Sequence, residues 1–138
     1  MSLLTMPSDL RVLIADDMLP MRNLLKMMLR KFGVKEFIMA EDGQEAINLF
    51  TKAVEKGNRP DLVLLDIDMP KVSGLEALQQ LREIDSRVFI TMVSANSAEE
   101  SVTEAKQHTV NGFLVKPIRS IQMEALLRGF QAYQKSQQ

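Results

Sequence analysis

The 138-residue chain has no cysteine and no tryptophan, one tyrosine and one histidine. Without cysteine there is no disulfide framework, no thiolate metal site and no cysteine nucleophile. The lone histidine, His108, has no partner in its segment for a metal site and reads as a solvated helix-end residue. An excess of either charge is also missing: 17 Lys and Arg stand against 18 Asp and Glu, net −1. That balance leaves no electrostatic footprint for nucleic acid or for an anionic membrane surface. No apolar run approaches the ~18 residues of a membrane span. The opening Met1–Ser8 lacks the basic start of a signal peptide. These absences point to a cytoplasmic protein that binds neither DNA nor membrane directly.

What is present is 46% hydrophobic residues, arranged in two alternating patterns. Val12-Leu13-Ile14, Phe37-Ile38-Met39, Leu62–Leu65, Val88–Val93 and Phe113-Leu114-Val115 are too short for helices and apolar on successive residues. Strands buried on both faces read this way. Between the runs, Met21, Leu24, Leu25, Met28, Leu29 and Phe32 recur at helical spacing. So do Ala46, Ile47, Phe50, Ala53 and Val54, and later Met123, Leu126, Leu127 and Phe130. Leu75, Leu78 and Leu81 make a weaker stripe, and Ala98–Gln107 the weakest, so that segment is expected to be mobile. Pro20 suits a first helical turn, and Ser73-x-x-Glu76 and Ser97-x-x-Glu100 fit capping boxes. Glu41-Asp42-Gly43 reads as a turn. The ten methionines, Met27-Met28 among them, suit gap-filling in the core, and Met18, Met21 and Met69 suit an adaptable partner surface.

Five strands, each followed by a helix, predict an α/β fold: a doubly wound five-stranded parallel sheet, (βα)5, with right-handed crossovers. One domain is expected over residues 9–133, with tails at 1–8 and 134–138.

In such a sheet, ligands bind at the carboxyl ends of the strands. Asp16 and Asp17 follow the first run, Asp66 and Asp68 the third, Ser94 and Ala95 the fourth, and Lys116 and Pro117 the fifth. Four of the eight aspartates thus stand at two strand ends. Like charges about 5 Å apart repel by roughly 3 kcal/mol at an effective dielectric of 20. Such a cluster calls for cations or for raised pKa values. Lys116 can answer one charge, and a hard divalent ion such as Mg²⁺ the others. A carboxylate beside Mg²⁺, a lysine and a hydroxyl could attack phosphorus and form an aspartyl phosphate. Simpler roles exist for each residue alone: Asp16 and Asp17 as helix caps, Ser94 as a turn residue, Lys116 as a solvated side chain, Phe113 as core.

Taken together, Asp16-Asp17, Asp66-Ile67-Asp68-Met69-Pro70…Gly74, Ser94-Ala95 and Lys116-Pro117 resemble the signature of response-regulator receiver domains of two-component signalling, stand-alone chemotaxis-type receivers in particular. The resemblance spans about residues 9–133. It implies a flavodoxin-like strand order of 2-1-3-4-5. Asp66 would be the phosphoacceptor, taking a phosphoryl group from the phosphohistidine of a sensor histidine kinase or phosphotransfer protein. Asp17 would bind Mg²⁺ directly, Asp16 through water and Asp68 through its backbone carbonyl. Lys116 would pair with phosphoryl oxygens, Ser94 and Phe113 would act as the switch, and the peptide before Pro117 would be cis. The domain would catalyse only its own phosphorylation and dephosphorylation. It would signal to a target protein through its fourth helix, fifth strand and fifth helix. The polar last helix neither demands nor excludes a homodimer through that face.

Two positions depart from the common receiver pattern. Phe113 replaces a frequent tyrosine, so the switch would lack a hydroxyl. Asp68 puts a carboxylate at the mouth of the site, where it and Asn96 are expected to set the lifetime of the phosphorylated form. Asp68→Ala and Asn96→Ala should each change the decay rate several-fold, followed by intact mass after removal of the donor; unchanged decay would refute the assignment.

Rival functions fare less well. Asp66-Ile67-Asp68 resembles the Asp-x-Asp of haloacid-dehalogenase-type phosphatases, but that strand normally opens the domain, and here the Asp pair precedes it. A flavin site would want Gly, Ser or Thr in place of Asp16-Asp17. A phosphorylation-independent scaffold sits poorly with the intact acidic set.

Overall fold

In the computed structural model, residues 4–95 and 110–137 are described. The strands are β1 (Arg11–Ala15), β2 (Glu36–Ala40), β3 (Leu62–Asp66), β4 (Phe89–Ser94) and β5 (Gly112–Val115). They form one parallel sheet in the order β2-β1-β3-β4-β5. The helices are α1 (Leu19–Lys31), α2 (Gly43–Glu55), α3 (Gly74–Ile84) and α4 (Ser120–Ser136). This α4 is the fifth helix of the sequence pattern. The expected helix at Ala98–Gln107, the Ser97 capping box, Asn96 and His108 lie outside the described residues. No helix among the described residues is long and apolar enough to cross a membrane.

Successive apolar residues are needed because the sheet is covered on both faces. Val12, Ile14, Leu62, Leu64, Val93 and Leu114 turn toward α1 and α4, with Leu25, Leu29, Leu127 and Phe130 opposite them. Leu13, Ala15, Val63, Leu65, Ile90 and Met92 turn the other way, toward α2 and α3, against Phe50, Leu78 and Leu81. Each fully buried side chain of this size contributes roughly 1.5–3 kcal/mol. Two residues expected inside are not covered: Met27, read as a core gap-filler, is 55% exposed, and Val54, on the second stripe, 38%. Met27 stands on the face of α1 opposite Leu25 and Leu29, and Val54 is the penultimate residue of α2, where the helix runs out toward solvent. Met69, read as part of a partner surface, is instead buried in the α2–α3 core, whereas Met18 is exposed.

Helix starts follow the local chemistry. Pro20 occupies the first turn of α1. The Ser73 hydroxyl accepts from the Glu76 N–H at 3.2 Å and donates to the Glu76 carboxylate at 3.3 Å. The segment read as a turn is also a capped helix start, with the Glu45 carboxylate closing on the residue before the N-cap. Asp42 Oδ1 accepts from the Glu45 N–H at 2.8 Å, and Glu45 Oε1 from the Glu41 N–H at 3.0 Å.

Two contacts bear on the site. A Cβ on Gly74 would lie 2.2 Å from the Asp66 carbonyl oxygen. Only glycine therefore lets α3 begin directly against the backbone of β3's last residue. At the far side, Arg82 on α3 donates to the Val88 carbonyl at 2.6 Å and to Asn111 Oδ1. That same oxygen accepts from the Ile90 N–H at 2.8 Å. Arg82 and Asn111 thus anchor the entry to β5.

Candidate functional site

Strand register decides which residues meet. Ala15 pairs with Leu65, Asp66 with Val93 and Ser94 with Val115. The residues that end β1, β3, β4 and β5 consequently lie along one edge of the sheet. Asp16, Asp17 and Asp66 each place a carboxylate oxygen within 4.8 Å of the others. Asp16 is fully buried, Asp66 is 4% exposed and Asp17 is exposed.

Lys116 reaches into this group from the end of β5. Its Nζ lies 3.2 Å from Asp16 Oδ2 and 3.7 Å from Asp66 Oδ1. Its side chain is only 19% exposed, which rules out the solvated role. The Lys116 N–H donates to the Ser94 carbonyl at 2.7 Å, and the Lys116–Pro117 peptide is cis. Ser94 is buried, and Phe113 is half-buried against the α2–α3 side of the sheet. Asp68 is exposed, and its N–H donates to Asp66 Oδ1 at 3.4 Å.

Asp16 and Asp17 do not cap α1 in the expected way. The N-cap is Met18, which offers no side-chain oxygen. Asp16 Oδ1 accepts from the Met18 N–H at 2.9 Å, a local turn that leaves its other oxygen for Lys116.

Among the described residues, three carboxylates cluster beside one lysine, and the imbalance appears in Asp66. Burial, with the Asp16 charge added, pushes its pKa up to about 6. Lys116 and the Asp68 N–H pull the other way without winning. Asp85, outside the site, shows the opposite balance. Burial alone would raise its pKa, but Arg59 and the N–H groups of Arg87 and Val88 hold it below the ordinary value.

Sequence reasoning missed three contributors. Arg22 on α1 is 7% exposed, and its guanidinium donates to the Asp16 carbonyl at 2.7 Å. The available signal was an arginine three before Leu25 and seven before Leu29, hence on the buried stripe. Lys71, in the β3–α3 loop, has φ 65° and pairs with Asp42 at 3.6 Å. Glu45 caps the α2 entry beside the site. A separate groove of about 300 Å³ lies around β2 and α2, lined by Arg11, Phe37 and Leu49 among others. It contains none of the acidic cluster.

What this edge can do is hold a hard cation among carboxylates and stabilise negative charge beside a buried nucleophilic oxygen. Residues 12–128 match the family model for the response regulator receiver domain. The chemotaxis protein CheY of Bacillus subtilis is 36% identical over 110 residues, 80% of this chain and 88% of that protein. Among solved structures, the CheX–CheY–BeF3–Mg²⁺ complex from Borrelia burgdorferi superposes with a TM-score of 0.79 at 28% identity. The match covers 90% of this chain and 89% of that one. The receiver domain of the Arabidopsis thaliana histidine kinase CKI1, complexed with Mg²⁺ and BeF3⁻, gives a TM-score of 0.78 at 27% identity, over 91% and 95% of the two chains.

Proposed function

This chain belongs to the response regulator receiver domain family of two-component signalling, and we propose that Asp66 is its phosphoacceptor in a Mg²⁺-dependent switch. The observation that carries the reading is the buried Asp66 carboxylate, 3.7 Å from Lys116 and within 4.8 Å of two further acidic oxygens. A buried carboxylate so crowded by like charge is costly without a function.

The donor set fits a magnesium ion: hard carboxylate oxygens from three residues, with more negative charge than Lys116 can balance. Asp17 and Asp66 would hold the ion directly, Asp16 through water and Asp68 through its backbone carbonyl. When bound, it supplies positive charge to the oxygens of the transferred group.

The protein's own residues do the rest. A carboxylate oxygen of Asp66 attacks the phosphorus of a phosphohistidine. The O–P bond forms as the P–N bond breaks, and the imidazole leaves with the bonding pair. The Lys116 ammonium, held by Asp16, offsets charge on the phosphoryl oxygens. Ser94 then bonds the phosphoryl group, and Phe113 moves with it toward the core by apolar burial alone. Asp68 and Asn96 set how readily water attacks the phosphoryl group.

The donor is a sensor histidine kinase or a phosphotransfer protein, and the output is a contact with a target protein through β5 and α4. A groove of about 390 Å³ between those elements, lined by Phe113, Gln122 and Leu126 among others, gives such a contact somewhere to form. Turnover of an external substrate is not part of this reading.

Intact-mass spectrometry after incubation with acetyl phosphate tests it, with and without Mg²⁺, on wild type and Asp66→Asn. One phosphoryl group per chain, requiring both Mg²⁺ and Asp66, is expected. No label under conditions that label another receiver would overturn the switch in favour of a scaffold. Sustained hydrolysis of a phosphomonoester would favour the phosphatase.

A further inference from the structure

Asp16 is pinned at four points. Its N–H donates to the Ala40 carbonyl at 3.1 Å, and its two carboxylate oxygens bond the Met18 N–H and Lys116. Its carbonyl oxygen accepts from Arg22 Nη1 at 2.7 Å. Asp17 differs: it is exposed, and among the described residues its carboxylate has no hydrogen-bond partner. Where that carboxylate points depends on the Asp17 backbone. The peptide joining Asp16 to Asp17 is a rigid plane, so fixing the Asp16 oxygen also fixes the Asp17 nitrogen at the other end. The second arm of Arg22 lies 3.7 Å from Glu41, which ties the same guanidinium to the loop entering α2.

We propose that Arg22 is a positioning residue for the divalent-cation site, holding the Asp16–Asp17 peptide so that the otherwise free Asp17 carboxylate faces Asp66. The proposal rests on the reading of Asp16, Asp17 and Asp66 as a Mg²⁺ site. Its direction is informative, because a buried guanidinium is itself a cation beside the acidic cluster. Coulomb repulsion alone would make Arg22 weaken cation binding, and its removal would tighten it. Positioning makes the opposite forecast.

The experiment is a Mg²⁺ titration of the EDTA-treated chain, followed by backbone amide shifts. It compares wild type, Arg22→Gln, Arg22→Lys and Asp17→Asn, with thermal melts recorded in the absence of Mg²⁺. Arg22→Gln and Arg22→Lys should both weaken Mg²⁺ binding by about tenfold, the scale for losing a group that orients a metal ligand. Arg22→Lys keeps the charge but loses the planar fork, and it decides the matter if Arg22→Gln does not fold. Tighter binding by Arg22→Gln with no change in Arg22→Lys would mean a purely electrostatic role and overturn the proposal. Lower melting temperatures with unchanged Mg²⁺ affinity would mean a brace for α1 only, and overturn it equally. Failure of wild type to show saturable binding, with Asp17→Asn indistinguishable from it, would instead remove the cation site itself and the proposal with it.

Discussion

Replacing Lys116 by methionine is expected to slow Asp66 labelling by acetyl phosphate about 10²–10³-fold, the usual scale for losing one preorganised charge-stabilising donor. Methionine keeps much of the apolar stem, so space is conserved and the ammonium is what disappears. The same change should destabilise the Mg²⁺-free protein at neutral pH by about 3 kcal/mol. Asp16 is fully buried and loses its ion pair at 3.2 Å, while Asp66 loses the ammonium 3.7 Å away. Added Mg²⁺ should restore much of the stability but little of the rate, because it answers the resting carboxylates without replacing the lysine beside the phosphoryl group. Timed intact-mass measurements and thermal melts in EDTA and in Mg²⁺ separate the two effects. A variant labelled at the wild-type rate would remove Lys116 from the chemistry.

Asp66→Asn should act on stability in the opposite direction. The folded pKa of Asp66 is pushed up to about 6 from an ordinary 3.8. A carboxyl with a raised folded pKa favours the fold while protonated. Its contribution is complete below about pH 3.8 and is lost as pH rises through about 6. At 1.36 kcal/mol for each pH unit, the loss approaches about 3 kcal/mol at neutral pH. Asparagine carries no charge, so in EDTA the variant should melt higher than wild type by on the order of 10 °C at pH 7.5. The difference should shrink toward zero near pH 4. Asp85 titrates with the opposite sign: its lowered pKa stabilises the fold above the ordinary carboxylate value and fails as pH falls. Its effect is common to both proteins and cancels in the difference. An Asp66→Asn protein that melts lower than wild type, or by an amount independent of pH, would contradict this balance. Together the two expected results describe one balance: neutralising Asp66 relieves the repulsion in the resting site, and removing Lys116 aggravates it.

The fold was legible from local pattern. Runs such as Leu62–Leu65 are apolar at every position because a parallel sheet covered on both faces allows no polar alternation. Ser73 and Pro20 marked helix starts through chemistry confined to one turn. Asp42-Gly43 has the composition of a turn, and that local signal masks the helix start that Asp42 and Glu45 mark by their spacing. Met69 is misplaced by sequence because methionine suits either a core or a partner surface, and nothing local shows which way a loop side chain turns. The candidate residues Asp16, Asp66 and Lys116 could be named because strand ends converge on one edge of a parallel sheet. Their contacts could not.

By itself, then, the sequence determined the two-sided sheet, the set of acidic residues available at its carboxyl edge and the absence of thiolate chemistry, since each follows from composition or short-range spacing. Tertiary structure alone decided that Asp16 divides its oxygens between Met18 and Lys116 while Asp17, among the described residues, has no hydrogen-bond partner of its own. It alone made Arg22 a ligand of the Asp16 backbone and raised the Asp66 pKa. The physical reason is range. Periodicity and capping act over a few residues of one element. Burial, and Coulomb interactions between Asp16 and Lys116 across 100 positions of chain, exist only once separate strands have been brought side by side.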